Sequence, residues 1–327
     1  MRSSIRRDQS RWNAAGEASD GGRLGAALLD QPLLHIWTFA AVRFGDTIKP
    51  ADIATAPSMI NLDAYFARIG HRGPTSPTKA TLDALAQAHV QSIPFENLDV
   101  LLGKHIDLSL EAIFDKLVTR ARGGYCFEQN GLFLEVLRAM GFLATPLSAR
   151  VRWQRPRDFI PTRTHLFVRV ELDGVSHLAD VGVGGLSMTS SVLLDREGEQ
   201  PTPHEPRRIV REGARLFHQA KLAGEWHDVT EFTLEEMPPI DRELANWYTS
   251  THPNSHFKSR LMVARALPQG GRVSIVNRER SLRNRDGSSE TRTLGSQQEL
   301  LSVLANDFGL RLPEGSELRC PGLDWPK

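Results

Sequence analysis

Cys126, His165 and Asp180 are the residues whose types and order suit nucleophilic catalysis. A thiolate can attack a carbonyl carbon, and an imidazole oriented by a carboxylate can move the proton. Cys126 sits in the stretch Arg122-Gly123-Gly124-Tyr125-Cys126-Phe127-Glu128-Gln129-Asn130-Gly131. From Cys126 the apolar positions Phe127, Leu132, Phe133, Val136, Leu137 and Met140 follow a 3.6-residue period, and Gly141 supplies a stop. The spacing predicts a helix with Cys126 in its first turn, where unpaired N–H groups and the positive end of the helix dipole favour a thiolate. Gly123 and Gly124 are expected to give the preceding turn freedom to bring backbone close to whatever approaches the sulfur. Taken alone, an unpaired cysteine on an apolar helix face is more often a packing residue.

The chain has 11 histidines, so the base must be selected. Leu166, Val168, Val170 and Leu172 alternate, Asp173-Gly174 is a hairpin turn, and the return strand runs from Val175 to Val181. Pairing outward from a two-residue turn sets Leu172 opposite Val175, Phe167 opposite Asp180 and His165 opposite Gly182. His165, Phe167 and Arg169 then share a face with Ser176, Leu178 and Asp180, and His177 falls on the other face. His165 and Asp180 become diagonal neighbours, roughly 7–8 Å apart at the backbone, close enough for their side chains to meet. A cysteine at a helix start followed by a His–Asp strand pair is the order of parts in papain-like and transglutaminase-like sites.

The surrounding elements divide by period. Helices are expected from Asn61 to Ile69, after Pro77-Thr78 through Leu82, Leu85 and Ala86, from Leu110 to Ala121, and from Cys126 onward, which makes a small bundle. From Thr145 the period becomes two, and further strands are expected at Arg215–Lys221 and Trp226–Phe232 around Ala223-Gly224. The middle therefore reads as an antiparallel barrel or sandwich. Beyond Ser250 come strands at Leu261–Ala266 and Arg272–Val276, a turn at Asp286-Gly287, and a helix opened by the capping box Ser296-x-x-Glu299.

Bulk properties exclude several roles. With 40 basic and 39 acidic residues the net charge is +1, which gives no electrostatic reason to expect nucleic acid or an anionic membrane as partner. Two cysteines, Cys126 and Cys320, make no disulfide framework, so a reducing, cytoplasmic setting is expected. No apolar run approaches the ~18 residues of a membrane span. His252 and His256 flank Pro253, which argues against a regular helix presenting both, and no metal is expected. Gly182-Val183-Gly184-Gly185 follows the aspartate and could form an N–H nest, but it lacks the spacing of a dinucleotide-binding fingerprint, and a plain turn is the expected reading. Arg207-Arg208, next to Glu205, is expected on a solvated loop.

Longer motifs carry a resemblance. The Arg122–Asn130 stretch, preceded by Ile93-Pro94-Phe95-Glu96-Asn97-Leu98, resembles the arylamine N-acetyltransferases. So do Thr164-His165, Asp180-Val181-Gly182-Val183-Gly184 and Asn246-Trp247-Tyr248-Thr249-Ser250-Thr251-His252-Pro253. The resemblance runs from about Met59 to the C-terminus and implies an α+β fold with a cysteine-protease-like core. It divides the chain into a leader or upstream segment (1–58), a helical bundle with the nucleophile (59–141), a β-barrel with His and Asp (142–249) and an α/β lid (250–327). It implies acetyl-CoA as co-substrate, an arylamine or hydrazine as acceptor, and Cys126, His165 and Asp180 as a triad. It further implies Arg122 and Glu96 as supporting ion pair, Phe95 and Val183 in the acceptor pocket, and Gly182, Gly184 and Gly185 near the coenzyme A phosphates. The family often has Phe where this chain has Val183, so a wider or reshaped pocket is expected. Alternatives are an amide synthase that uses the same triad without coenzyme A, or a transglutaminase- or peptidase-like cysteine enzyme.

Overall fold

The structure, a computed structural model, describes residues 60–325; the expected leader over residues 1–58 and the start at Met59 lie outside the described residues. The described residues begin with α1 (Leu62–Ile69) and α2 (Lys79–Ser92), followed by the two-residue strand β1 (Phe95–Glu96) and the single turn α3 (Leu98–Leu101). The Asn61 side chain caps α1 by accepting from the Ala64 N–H at 3.0 Å. α4 (Leu110–Phe114) passes into a π-helical turn, Asp115–Thr119, where one longer α-helix was expected, and α5 (Cys126–Ala139) follows. Tyr65, Leu85, Phe133 and Leu137 of the helices pack with Val168, Val170 and Ala179 in one buried cluster. Each such side chain contributes about 1.5–3 kcal/mol of apolar burial.

Seven strands come next: β2 (Leu143–Val151), β3 (His165–Leu172), β4 (Val175–Ala179), β5 (Val192–Leu193), β6 (Arg207–Glu212), β7 (Arg215–Leu222) and β8 (Glu225–Glu236). They form one antiparallel sheet in the order β5-β4-β3-β2-β8-β7-β6. Its edges are stitched by Gln200, whose backbone pairs with Arg207 while its side chain bonds both the N–H and the carbonyl of Leu193. The sheet is thereby nearly closed, and of barrel and sandwich the barrel is observed. Leu147, Phe167, Leu178, Leu216 and Phe232 fill its interior. The hairpin register is the expected one, with Leu172 opposite Val175 and Val168 opposite Ala179. Asp173 and Gly174 take φ of 52° and 76°, the left-handed pair that a two-residue turn requires.

The chain continues through α6 (Pro239–Thr251) and α7 (His256–Ser259) to β9 (Met262–Ala266), β10 (Arg272–Val276), β11 (Glu279–Arg283), β12 (Ser289–Thr293) and α8 (Gln297–Phe308). α6 was not expected from the sequence, although Pro239 at its first position is a start signal, and the boundary expected at 249/250 falls inside this helix. The second sheet, β1-β9-β10-β11-β12, takes its first strand from the N-terminal half. Asn97 secures that join: its amide donates to the Phe257 and Arg260 carbonyls, each at 2.8 Å, and accepts from the Met262 N–H.

One expectation is overturned. Arg207 does not lie on a solvated loop; it begins β6 with its side chain turned inward and 1% exposed. Glu205 bonds Arg207 at 3.0 Å, Arg272 at 2.6 Å, and Arg283. The two latter partners come from the second sheet, so no local sequence window could have shown them. Removing one member of a buried, hydrogen-bonded charge cluster leaves the others uncompensated. Glu205→Ala should therefore lower unfolding stability in urea by about 3–5 kcal/mol. Asp195→Ala, at a 79% exposed side chain paired with Arg211, should stay within about 0.5 kcal/mol.

Candidate active site

Cys126 is the first residue of α5 and is 4% exposed. Its Sγ lies 3.6 Å from the Thr164 carbonyl oxygen, which brings the helix start against the residue before β3. Two residues on, Glu128 turns back so that its carboxylate accepts from the Tyr125 N–H at 3.0 Å and caps the helix. Burial, only partly offset by Lys116, holds the Glu128 carboxyl above its ordinary range.

The glycines before Cys126 have a different use from the expected one. Neither takes positive φ. A side chain on Gly123 would begin 2.1 Å from the Pro94 carbonyl oxygen, and one on Gly124 would begin 2.6 Å from Glu128. They are small because the chain's own β1 strand and helix cap press on them. Gln129 reinforces the same contact, its amide donating to the Pro94 and Gly124 carbonyls at 2.8 and 3.2 Å. The Gln129 carbonyl oxygen then accepts from His89 Nε2 at 2.6 Å, which leaves His89 Nδ1 to accept from the Tyr65 hydroxyl at 2.8 Å. Burial pushes His89 down to about 4, so the chain Tyr65–His89–Gln129 is neutral throughout.

His165 Nε2 lies 2.7 Å from Asp180 Oδ2, the pair that the hairpin register selected. Burial alone would discharge the imidazole. The charges and hydrogen bonds of Asp180 and Cys126 outweigh burial and push its pKa up to about 10. With Nε2 spent on Asp180, Nδ1 is the nitrogen left for the sulfur. Burial likewise opposes ionisation of Asp180, but His165, the Asn130 amide and the Gly182 N–H together hold its carboxyl below the ordinary value.

Asn130, to which sequence reasoning assigned no role, joins these parts. Its amide donates to the Leu166 carbonyl at 2.6 Å and to Asp180 Oδ1 at 2.9 Å, and its oxygen accepts from the Val181 N–H at 2.9 Å. The available signal was its position one helical turn after Cys126, on the same face. Gly182 completes the fit, because a side chain there would begin 2.7 Å from Asn130 and 2.9 Å from the Cys126 Cα.

The remaining expected residues are arranged as follows. Arg122 bonds Glu96 at 2.7 Å and Asp99 at 3.2 Å. Lys116, also missed from sequence, bonds Glu128 at 2.6 Å and Asp99 at 2.9 Å and so ties this pair to the helix cap. The Phe95 ring lies 3.5 Å from where a Gly184 side chain would begin. The Gly182 and Gly184 N–H groups are bonded to Asp180 Oδ1 and the Ser187 hydroxyl. Among the described residues the N–H groups of Val183 and Gly185 have no acceptor. Val183 packs against a buried cluster of Leu186, Ala220 and Val229. Among the described residues no three His, Cys, Asp or Glu side chains gather into a group that could hold a metal ion.

A buried cysteine stands beside a His–Asp pair in a cysteine-protease-like core, and the chain as a whole is similar to known proteins. A model of the N-acetyltransferase family matches residues 78–317. The arylamine N-acetyltransferase of Mycolicibacterium smegmatis is 42% identical over 257 residues, covering 77% of this chain and 93% of that one. The Escherichia coli arylamine N-acetyltransferase is 38% identical over 249 residues, 76% of this chain and 88% of the other. The solved structure of an M. smegmatis arylamine N-acetyltransferase superposes with a TM-score of 0.76 at 40% identity, covering 81% of this chain and 98% of that one. That of the Mycobacterium marinum arylamine N-acetyltransferase in complex with CoA has a TM-score of 0.73 at 38% identity, with 76% and 92% covered. The chain belongs to the arylamine N-acetyltransferase family and is an acetyltransferase.

The His165 shift has a consequence for stability. Its folded pKa, about 10, exceeds the unfolded value of about 6.5. The stabilisation is therefore complete below the unfolded value and fades as pH rises toward the folded one. Urea unfolding should show the stability gap between the wild type and His165→Gln widest at slightly acid pH and shrinking steadily on the alkaline side.

Proposed function

We propose that the protein acetylates arylamines or arylhydrazines from acetyl-CoA by a two-step exchange through an acetyl-Cys126 intermediate. The observation that carries this reading is the placement of Cys126 beside a His165 that Asp180 keeps protonated. In the first step the Cys126 thiolate attacks the thioester carbonyl. The carbon–sulfur bond to coenzyme A breaks, and the departing thiol takes the proton from His165. The Cys126 N–H, at the first position of α5 where helices leave donors unpaired, is the candidate to stabilise the oxyanion. Acetylation removes the negative charge from sulfur, and with it one of the influences that held the proton on His165. The neutral imidazole then accepts a proton from the attacking amine, the amide leaves, and thiolate and imidazolium are restored. Exchange of one thioester for another costs little free energy, and transfer to nitrogen runs downhill.

In this reading Arg122 and Glu96 support the nucleophile's helix, and Phe95 and Val183 line the acceptor pocket. The Gly182–Gly185 loop faces the coenzyme phosphates, with Val183 and Gly185 as its available donors and Gly182 and Gly184 as its shape. The names of the relatives and the coenzyme bound in one of them favour acetyl-CoA over a carrier-linked acyl donor. Both described cysteines are free, in keeping with a reducing compartment such as the cytoplasm.

Intact mass after mixing with acetyl-CoA should show a single acetyl adduct, absent in Cys126→Ala and retained in Cys320→Ala. An active preparation without the adduct would rule out the covalent step.

A further inference from the structure

The barrel interior is not uniformly apolar. On β7, Leu216 lies in the interior cluster with Phe167 and Phe232, and alternation turns His218 to the same side. On β6, Ile209 belongs to that cluster, and alternation brings Arg207 inward with it. On β3, His165 shares the face of Phe167. Asp180, His165, His218 and Arg207 therefore form a polar layer beside the apolar filling, with exposures of 1, 2, 0 and 1%. The proposed reaction uses the first two and leaves His218 and Arg207 without a role.

Arg207 dictates the chemistry of His218. Its Nη1 lies 3.3 Å from His218 Nε2. A guanidinium can only donate, so Nε2 must accept, and a neutral imidazole with bare Nε2 carries its proton on Nδ1. The ring is neutral, since burial and then the Arg207 charge push its pKa down to about 3. Its Nδ1 is fully buried and bonds no protein atom among the described residues. An unmatched buried donor costs about 1–3 kcal/mol, so an acceptor must lie within reach of one water.

The layer offers one. Asp180 and His165 stand within electrostatic range of His218. Asp180 Oδ1 already accepts from the Asn130 amide and the Gly182 N–H, whereas Oδ2 accepts only from His165 Nε2. A carboxylate oxygen has two acceptor positions, so Oδ2 keeps one unused. The other groups facing His218 are Arg207, Glu205 behind it, and Thr230 across the strand pair.

We propose that His218 is a positioning residue for the triad: Arg207 fixes its tautomer, and its Nδ1–H donates through one bound water to the unused position on Asp180 Oδ2. The donor fixes the plane of the carboxylate and favours its ionised form, so that Oδ2 stays aligned with His165 Nε2. This rests on the triad reading given above. His218 touches no reacting atom and acts through Asp180.

Two substitutions separate this role from simple packing. His218→Asn sets an amide nitrogen near the position of Nδ1, and His218→Gln sets an amide oxygen near that of Nε2, where it still satisfies Arg207. The readouts are the single-turnover rate of acetyl-Cys126 formation and the pH profile of Cys126 alkylation by iodoacetamide. The Asn variant should keep most of the wild-type rate. The Gln variant should lose on the order of 10–100-fold, as misalignment of a reacting group does, with the acid limb of its alkylation profile moved to higher pH. A Gln variant at least as fast as the Asn variant would reduce His218 to a partner for Arg207 and overturn the proposal. If neither variant folds, the wild type labelled with 15N-histidine decides. A buried neutral ring protonated on Nδ1 supports the assignment, and protonation on Nε2 overturns it. Failure of the triad reading itself would look different, since the wild type would then form no adduct.

Discussion

The side-chain amide of Asn130 bonds three backbone or carboxylate groups from β3 and the segment just after β4, far along the chain from it: the Leu166 carbonyl, Asp180 Oδ1 and the Val181 N–H. These contacts are buried, so each is costly to leave unmade. Because Asn130 and Cys126 ride on one helix face a turn apart, the sulfur cannot move along or around α5 without breaking bonds to the segment that carries Asp180. The absence of a side chain at Gly182 is the steric half of the same constraint, letting the loop close to within contact of the helix backbone. Helix and hairpin are thus held as one piece, and the distance between Cys126 and His165 follows from that junction.

Around this junction lie two buried ionic clusters. On the helix side, Lys116 and Arg122 share Glu96, Asp99 and Glu128, and Glu128 also caps α5 beside Cys126. On the barrel side, Glu205 gathers Arg207, Arg272 and Arg283, and two of those arginines donate on to the Leu186 and Ser187 carbonyls, just beyond the loop that follows Asp180. Buried ion pairs give uncertain net stability but demand specific geometry. Here one cluster lies beside the helix start that carries Cys126 and the other beside the segment that follows Asp180.

The local patterns were legible where the physics is local. The 3.6-residue period ending at Gly141 marked α5, and the alternation on either side of Asp173-Gly174 yielded the strand pairing, from which His165 and Asp180 follow as partners. α6 was missed because its exposed face is apolar at Ile240, Leu244 and Trp247, which blurs the helical stripe. The π-helical turn at Asp115–Thr119 leaves no mark in the hydrophobic period. Arg207 was misplaced because a charged pair beside a glutamate looks solvated until Arg272 and Arg283 arrive from another sheet. Asn130 and Gln129 were in plain view inside the motif, but an amide's partners are set by tertiary contact. Gly123 and Gly124 were recognised for freedom they do not use; their smallness answers to Pro94, Glu96 and Glu128.

The turn at Asp173-Gly174 can be described as setting a reading frame. Its two left-handed residues leave no slack between β3 and β4, so which letters of the return strand face the barrel interior is decided there. Because the strand period is two, a slip of one position would turn Asp180 outward and bring Ala179 in against His165. Cys126, His165 and Asp180 would all still be present in the chain, and the site would be spelled differently. The arrangement is therefore encoded partly in the identities of three side chains and partly in the length of a loop that touches none of them.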